Sequence, residues 1–310
     1  MLVGVVSVAF GRQAQLPSRD PIVRNSLTRL RGVMKMRCVP VLVCIAVLPL
    51  CAQWPDHPTP GVPRTPDGKP KLDAPAPRTA EGKPDFTGIW RNTRPARLAE
   101  FGERQPARDP NAPPTGLDQF RDIGTGVKDG LHFTPWAADL KKKRMADLSK
   151  DNPDAHCLPM GNMQFETHPQ PRKMIQTPDL LLIIYEANGG LRQVFLDGRP
   201  LPKVDDVQPW WYGYSVGKWD GDTLLVETTG FRDDGWLDIN GSPLTSGAKM
   251  TERFRRPDFG NLEIQIAVDD PKAYTKPWTV TVRQKIWVDT EMIEFICNEG
   301  ERDAVHLVGK

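Results

Sequence analysis

The chain has 310 residues, of which 41 are basic and 39 acidic, for a formal net charge of +2. Both signs are interspersed, which excludes the one-sided basic surface of a nucleic-acid binder. No apolar run reaches the roughly 20 residues of a comfortable membrane span.

Lys35 and Arg37 lead into an apolar run from Cys38 to Leu50, and Ala52 closes it. Basic, apolar and then small is the order of a secretory signal peptide, so residues 1–52 are read as a signal carrying an N-terminal extension. Met34 or Met36 is the start that fits; a long basic leader is the alternative. Cleavage suits Ala52. Lipid anchoring at Cys51 is the other reading, disfavoured because Leu50 before it is not small. Export puts the mature chain in the periplasm or outside the cell, where thiols oxidise. The proline-dense stretch 53–84 favours extended polyproline II conformation and reads as a disordered tether. Residues 85–310 then suffice for a single domain.

Asp85 to Trp90 reads as a first strand. The next forty residues, with Pro95, Pro106, Pro110, Pro113 and Pro114, read as a loop over the surface or over an opening. Thr134-Pro135 supplies an N-cap and a first-turn proline, and Trp136, Leu140 and Leu148 recur at helical spacing through 137–149. Lys141 to Arg144 would be the solvated face of that helix. After Cys157 the chain reads as strands: 173–177, 180–186, 192–196, 212–219, 223–229, 250–255, 262–268, 279–288 and 292–297. Asn188-Gly189-Gly190 and Asp220-Gly221-Asp222 supply tight turns between neighbours. Leu262, Ile264, Ile266 and Val268 alternate with Glu263, Gln265 and Ala267, the pattern of a half-buried antiparallel strand. The expected fold is all-β, an antiparallel up-and-down barrel with one helix and a long irregular N-terminal segment. It is preferred to a sandwich because hairpins outnumber long return connections.

Of the five cysteines, Cys157 and Cys297 alone follow the signal. An even pair in an exported chain predicts a disulfide. It would close a loop of about 140 residues, roughly 5 kcal/mol in the chain-entropy model. A reactive thiol beside His156 is the alternative.

Trp210, Trp211, Tyr212 and Tyr214 form the densest aromatic cluster and, at a barrel mouth, would hold a small apolar or aromatic molecule. A core plug is the plainer reading of the same rings. Glu252 and Glu227 sit within apolar strand patterns, where burial raises a carboxyl pKa and suits it to proton transfer, with Arg253 or His168 as partner. Pairing with Arg or Lys, or exposure, is the commoner fate of such residues. Glu252 shares a face with Met250 and Phe254 and should point inward. The scattered His132, His156, His168 and His306 lack zinc-site spacing, and there is no nucleophile elbow, phosphate loop or dinucleotide fingerprint. No metal or cofactor is expected. Three functions stand: a ligand-binding barrel, an enzyme of isomerisation, hydration or hydrolysis, and a filled barrel with a structural role.

The blocks Asp197-Gly198-Arg199-Pro200, Trp219-Asp220-Gly221-Asp222-Thr223-Leu224, Trp236-Leu237-Asp238, Thr251-Glu252-Arg253-Phe254 and Asp269-Asp270-Pro271 through Tyr274-Thr275-Lys276-Pro277-Trp278 resemble, in this order, a family of secreted bacterial proteins of uncharacterised activity. Phe86-Thr87-Gly88-Ile89-Trp90 and Cys157-x-Pro159-x-Gly161 look like its earlier blocks. The resemblance spans Asp85 to Glu299 and implies a lipocalin-like barrel. Relatives often show Pro-His-Ser where this chain has Pro243-Leu244-Thr245, so chemistry resting on that His does not carry over.

Overall fold

A computed structural model describes residues 58–92, 123–127, 130–162, 166, 168, 170–203, 206 and 208–299. The expected signal, with Cys51, and most of the irregular stretch after Asn92 lie outside these residues.

Nine strands close into a barrel. In chain order these are β1 (Gly88–Asn92), β2 (Arg172–Gln176), β3 (Leu180–Tyr185), β4 (Leu191–Phe195), β5 (Tyr214–Asp220), β6 (Thr223–Thr229), β9 (Lys249–Arg255), β10 (Asn261–Asp269) and β11 (Trp278–Ile286). Between β6 and β9 the chain leaves the wall to form a two-strand ribbon, β7 (Gly235–Trp236) and β8 (Pro243–Leu244). Around the ring the order is β1, β11, β10, β9, β6, β5, β4, β3, β2, and β2 returns to β1. Every neighbouring pair is antiparallel except β4 and β5, which run parallel. Strand direction cannot alternate all the way round a ring of nine, so one parallel pair is unavoidable. It falls at the longest connection between ring neighbours in the β2–β6 run, residues 196–213.

The core follows from period two. Leu262, Ile264, Ile266 and Val268 on β10 and Trp278, Val280, Val282 and Ile286 on β11 are buried, while Gln265, Thr279, Arg283 and Lys285 between them face out. Asn188 and Gly189 both adopt positive φ, the left-handed pair a tight turn needs, and link β3 to β4. At one end Phe86 stacks on Trp219 and tilts against Phe254, with ring centroids 5.7 and 6.0 Å apart, so the barrel is stoppered by an aromatic cluster.

Three expectations need correction. Residues 292–297 form no strand: β1 and β11 already close the ring, which leaves no edge to extend. The helix α1 (Pro135–Ala146) is capped as expected, the Thr134 hydroxyl accepting from the Ala137 N–H, but Trp136 is largely exposed and Leu148 lies beyond its end. It docks through cations instead: Arg144 lies over Trp236 at 4.4 Å and donates to the Gly241 carbonyl, so the basic run is not wholly solvated. Finally, residues 58–84 are fastened to the barrel rather than set apart as a tether. The Phe259 and Gly260 amides donate to the carbonyls of Ala74 and Leu72, Arg78 pairs with Asp222 at 2.6 Å, and Arg64 pairs with Asp289 at 2.5 Å. Prolines keep the arm extended; tertiary hydrogen bonds decide where it lies.

Cys157 and Cys297 are joined as a disulfide, with Cα atoms 5.6 Å apart. Among the described residues no helix is long and apolar enough to cross a membrane.

Candidate functional site

The barrel interior is not uniformly apolar. Arg172 shares the inward phase of β2 with Met174, Arg192 that of β4 with Val194, Glu252 that of β9 with Met250 and Phe254, and Gln284 that of β11 with Val282. All four polar side chains are fully buried. Arg192 donates to both carboxylate oxygens of Glu252, at 3.0 Å from Nη1 to Oε1, and also to the Ser215 and Thr228 hydroxyls. Arg172 donates to Glu166 at 2.7 Å, and the other acceptor sites of that carboxylate take the Tyr185 hydroxyl at 2.9 Å and the Gln284 amide at 3.0 Å.

Two ion pairs inside one barrel are expensive to bury and stabilise little against apolar packing of the same volume. Burial raises the Glu252 carboxyl above the ordinary carboxylate value, against the pull of Arg192. Burial also disfavours the Arg192 charge, but Glu252 more than offsets this and holds its pKa above that of free arginine. Tyr185 is pushed well above the ordinary phenol, by burial first and then by Glu166. Glu252 is therefore inward, as its phase predicts, but both its oxygens are occupied by a guanidinium.

One end of the network has unused bonding capacity. Asn92 on β1 and Gln284 on β11 are direct cross-strand partners, and Asn92 and Arg172 both donate to the His168 carbonyl, at 2.7 and 3.4 Å. Within this cluster the Arg172 Nε, the Gln284 Oε1 and the Asn92 Oδ1 are buried without a hydrogen-bond partner. Native proteins leave few such groups.

The aromatic cluster is divided by the chain's path. Tyr212 turns toward the network and stacks on Tyr185, centroids 6.1 Å apart. Trp210 and Tyr214 pack with Phe195 and Arg199 on the outer wall. Trp211 lies under Arg232 and lines a groove of about 380 Å³ with Trp236, Arg144 and His156. Glu227 is exposed on the outer face, because its phase on β6 is opposite to that of Leu224, Val226 and Thr228. Arg253 also points outward and pairs with Asp220 at 3.4 Å. Neither outward side chain enters the interior. His168 is half-buried beside the network; burial first, then Arg172, lowers its pKa to about 4 against the opposing effect of Asp154.

Sequence reasoning missed Glu166, Arg172, Tyr185, Arg192 and Gln284. The available signal was a charged or amide residue in the apolar phase of a strand, as in Arg192 and Val194. Several motif blocks instead brace the fold: Asp270 accepts from the Thr245 amide and hydroxyl, and the Tyr274 hydroxyl donates to the Pro243 carbonyl at 2.7 Å. Leu244, between these braces, is buried. Among the described residues no three His, Cys, Asp or Glu side chains are grouped to hold a metal ion.

In comparisons with known proteins, no protein-family model matches the chain, and no curated protein matches it.

Proposed function

We propose that this is an exported ligand-binding barrel of the lipocalin-like family described above. Its interior takes a small molecule that sets a flat or apolar body near the Tyr185 and Tyr212 rings and a hydroxyl or amide at Asn92, Arg172 and Gln284. The three unpartnered buried atoms carry this reading: one donor and two acceptors in a single cluster match a group that both donates and accepts. Binding is favoured over acid–base chemistry because Arg192 occupies both oxygens of Glu252, the one inward carboxylate among the candidates. The basic-apolar-small leader and the disulfide support export.

Native mass spectrometry of the protein from its exported fraction tests this first. A co-purifying small molecule is expected, and Gln284→Met should weaken its capture about three- to tenfold, the loss of one neutral hydrogen bond. Empty protein whose three atoms are bridged by ordered water alone would refute the reading and favour a filled, structural barrel.

A further inference from the structure

A second cavity, of about 660 Å³, lies between the N-terminal arm and the part of the barrel where β1 meets the end of β11. Its arm side includes Pro60 and Val62, and its barrel side Ile89, Ile286 and Val288. The volume and apolar walls are those of small-molecule sites.

Arg256 belongs to the lining and is only 4% exposed. It lies over the Trp90 ring, Nη1 donates to the Asp85 carbonyl and Nη2 to the Phe259 carbonyl, and the buried Nε has no acceptor. A guanidinium offers five N–H bonds, so three stay unused. The other charged groups of the lining are engaged elsewhere: Lys173 pairs with Glu291 at 3.3 Å, and Asp85 accepts the Thr87 N–H. Among the described residues no carboxylate forms an ion pair with Arg256; Asp85 and Asp258 act on it only at longer range. Burial lowers its pKa to about 10.

We propose that this cavity binds an amphipathic carboxylate, its chain against Val62, Ile89, Ile286 and Val288 and its head group at Arg256. A carboxylate supplies the bidentate, charge-assisted acceptor that the buried guanidinium lacks. Apolar walls with one cation left without a counter-ion, Lys173 being paired with Glu291, select against doubly charged or wholly polar molecules. The arm is the cover of this site, latched by Arg64 and by the Thr59 amide on the Asp289 carboxylate. The inference is independent of the barrel interior.

Calorimetric titration of the full mature chain with decanoate and with decanol tests it. Decanoate should bind about tenfold or more tightly than decanol, the scale of a hydrogen bond to a charged group. Val62→Trp, which fills the cavity from the arm side, should abolish both. Arg256→Met should keep decanol binding and erase the preference for decanoate; if it does not fold, Val62→Trp and the ratio of the two ligands decide. Equal affinities in the wild type, undiminished binding in Val62→Trp, or no saturable decanoate binding would overturn the proposal.

Discussion

At the scale of single residues, the interior ion pairs dictate what substitution does. Glu252→Gln keeps the shape but leaves the Arg192 charge buried without a counter-ion. The expected loss is about 3–5 kcal/mol, because the uncompensated charge, not the missing attraction, sets the cost. Replacing the pair together, Arg192→Met with Glu252→Leu, should recover most of it. Urea unfolding of the single and double variants gives the coupling energy; a Glu252→Gln variant within 1 kcal/mol of wild type would contradict a closed ionic pair. His168 works through protons. Its folded pKa of about 4 lies below the ordinary 6.5, so between those values the unfolded chain holds a proton that the folded chain does not. The contribution is complete above pH 6.5 and is lost as pH falls toward 4, up to about 3 kcal/mol. His168→Gln should flatten this part of the stability profile, and parallel profiles for the two proteins would place the acid sensitivity elsewhere.

At the scale of elements, the arm is joined to the barrel where Gly260 passes Leu72. A Cβ at Gly260 would lie 2.6 Å from the Leu72 Cβ and 2.8 Å from its carbonyl oxygen, a contact that backbone cannot yield cheaply. Gly260→Ala should therefore cost about 1–3 kcal/mol, concentrated in the arm. Hydrogen exchange at the Phe259 and Gly260 amides, which donate to the arm, should quicken while the β10 and β11 ladder stays protected. Equal acceleration across both would mean that the clash unfolds the wall itself. These elements also differ in how far sequence discloses them. β6, β9 and β10 were legible to within a residue because long apolar alternation and a tight turn are local signals. The arm's seat was not, since its prolines specify an extended backbone while Leu72, Ala74 and Arg78 find partners 144 or more residues away. The strand expected at 292–297 shows the converse: alternation was present, but the closed ring has no unpaired strand to receive it.

At the scale of the whole molecule, the polar interior was hidden for a related reason. Glu166 lies between β1 and β2, outside any strand, and has no period to betray it, and its partners Arg172, Tyr185 and Gln284 converge only once β2, β3 and β11 curve into one ring. Closure also decides what the disulfide does. Cys157 precedes β2 and Cys297 follows β11, so the bond encloses every barrel strand except β1, and β1 is the strand that pairs with both β2 and β11. Ring closure by β1 and loop closure by the disulfide thus act on the same two ends of the wall. With a separation of 140 residues, the oxidised unfolded chain forfeits conformational freedom equivalent to roughly 5 kcal/mol in the chain-entropy model. Replacing Cys157 and Cys297 together with Ala should lower the free energy of urea unfolding by most of that amount, and wild type unfolded in reductant should match the variant. The folded ladder, which the bond does not hydrogen-bond, should give the same far-ultraviolet spectrum in both. A loss below 1 kcal/mol would show that β1 alone keeps the two ends together, in the unfolded ensemble as well as in the native ring.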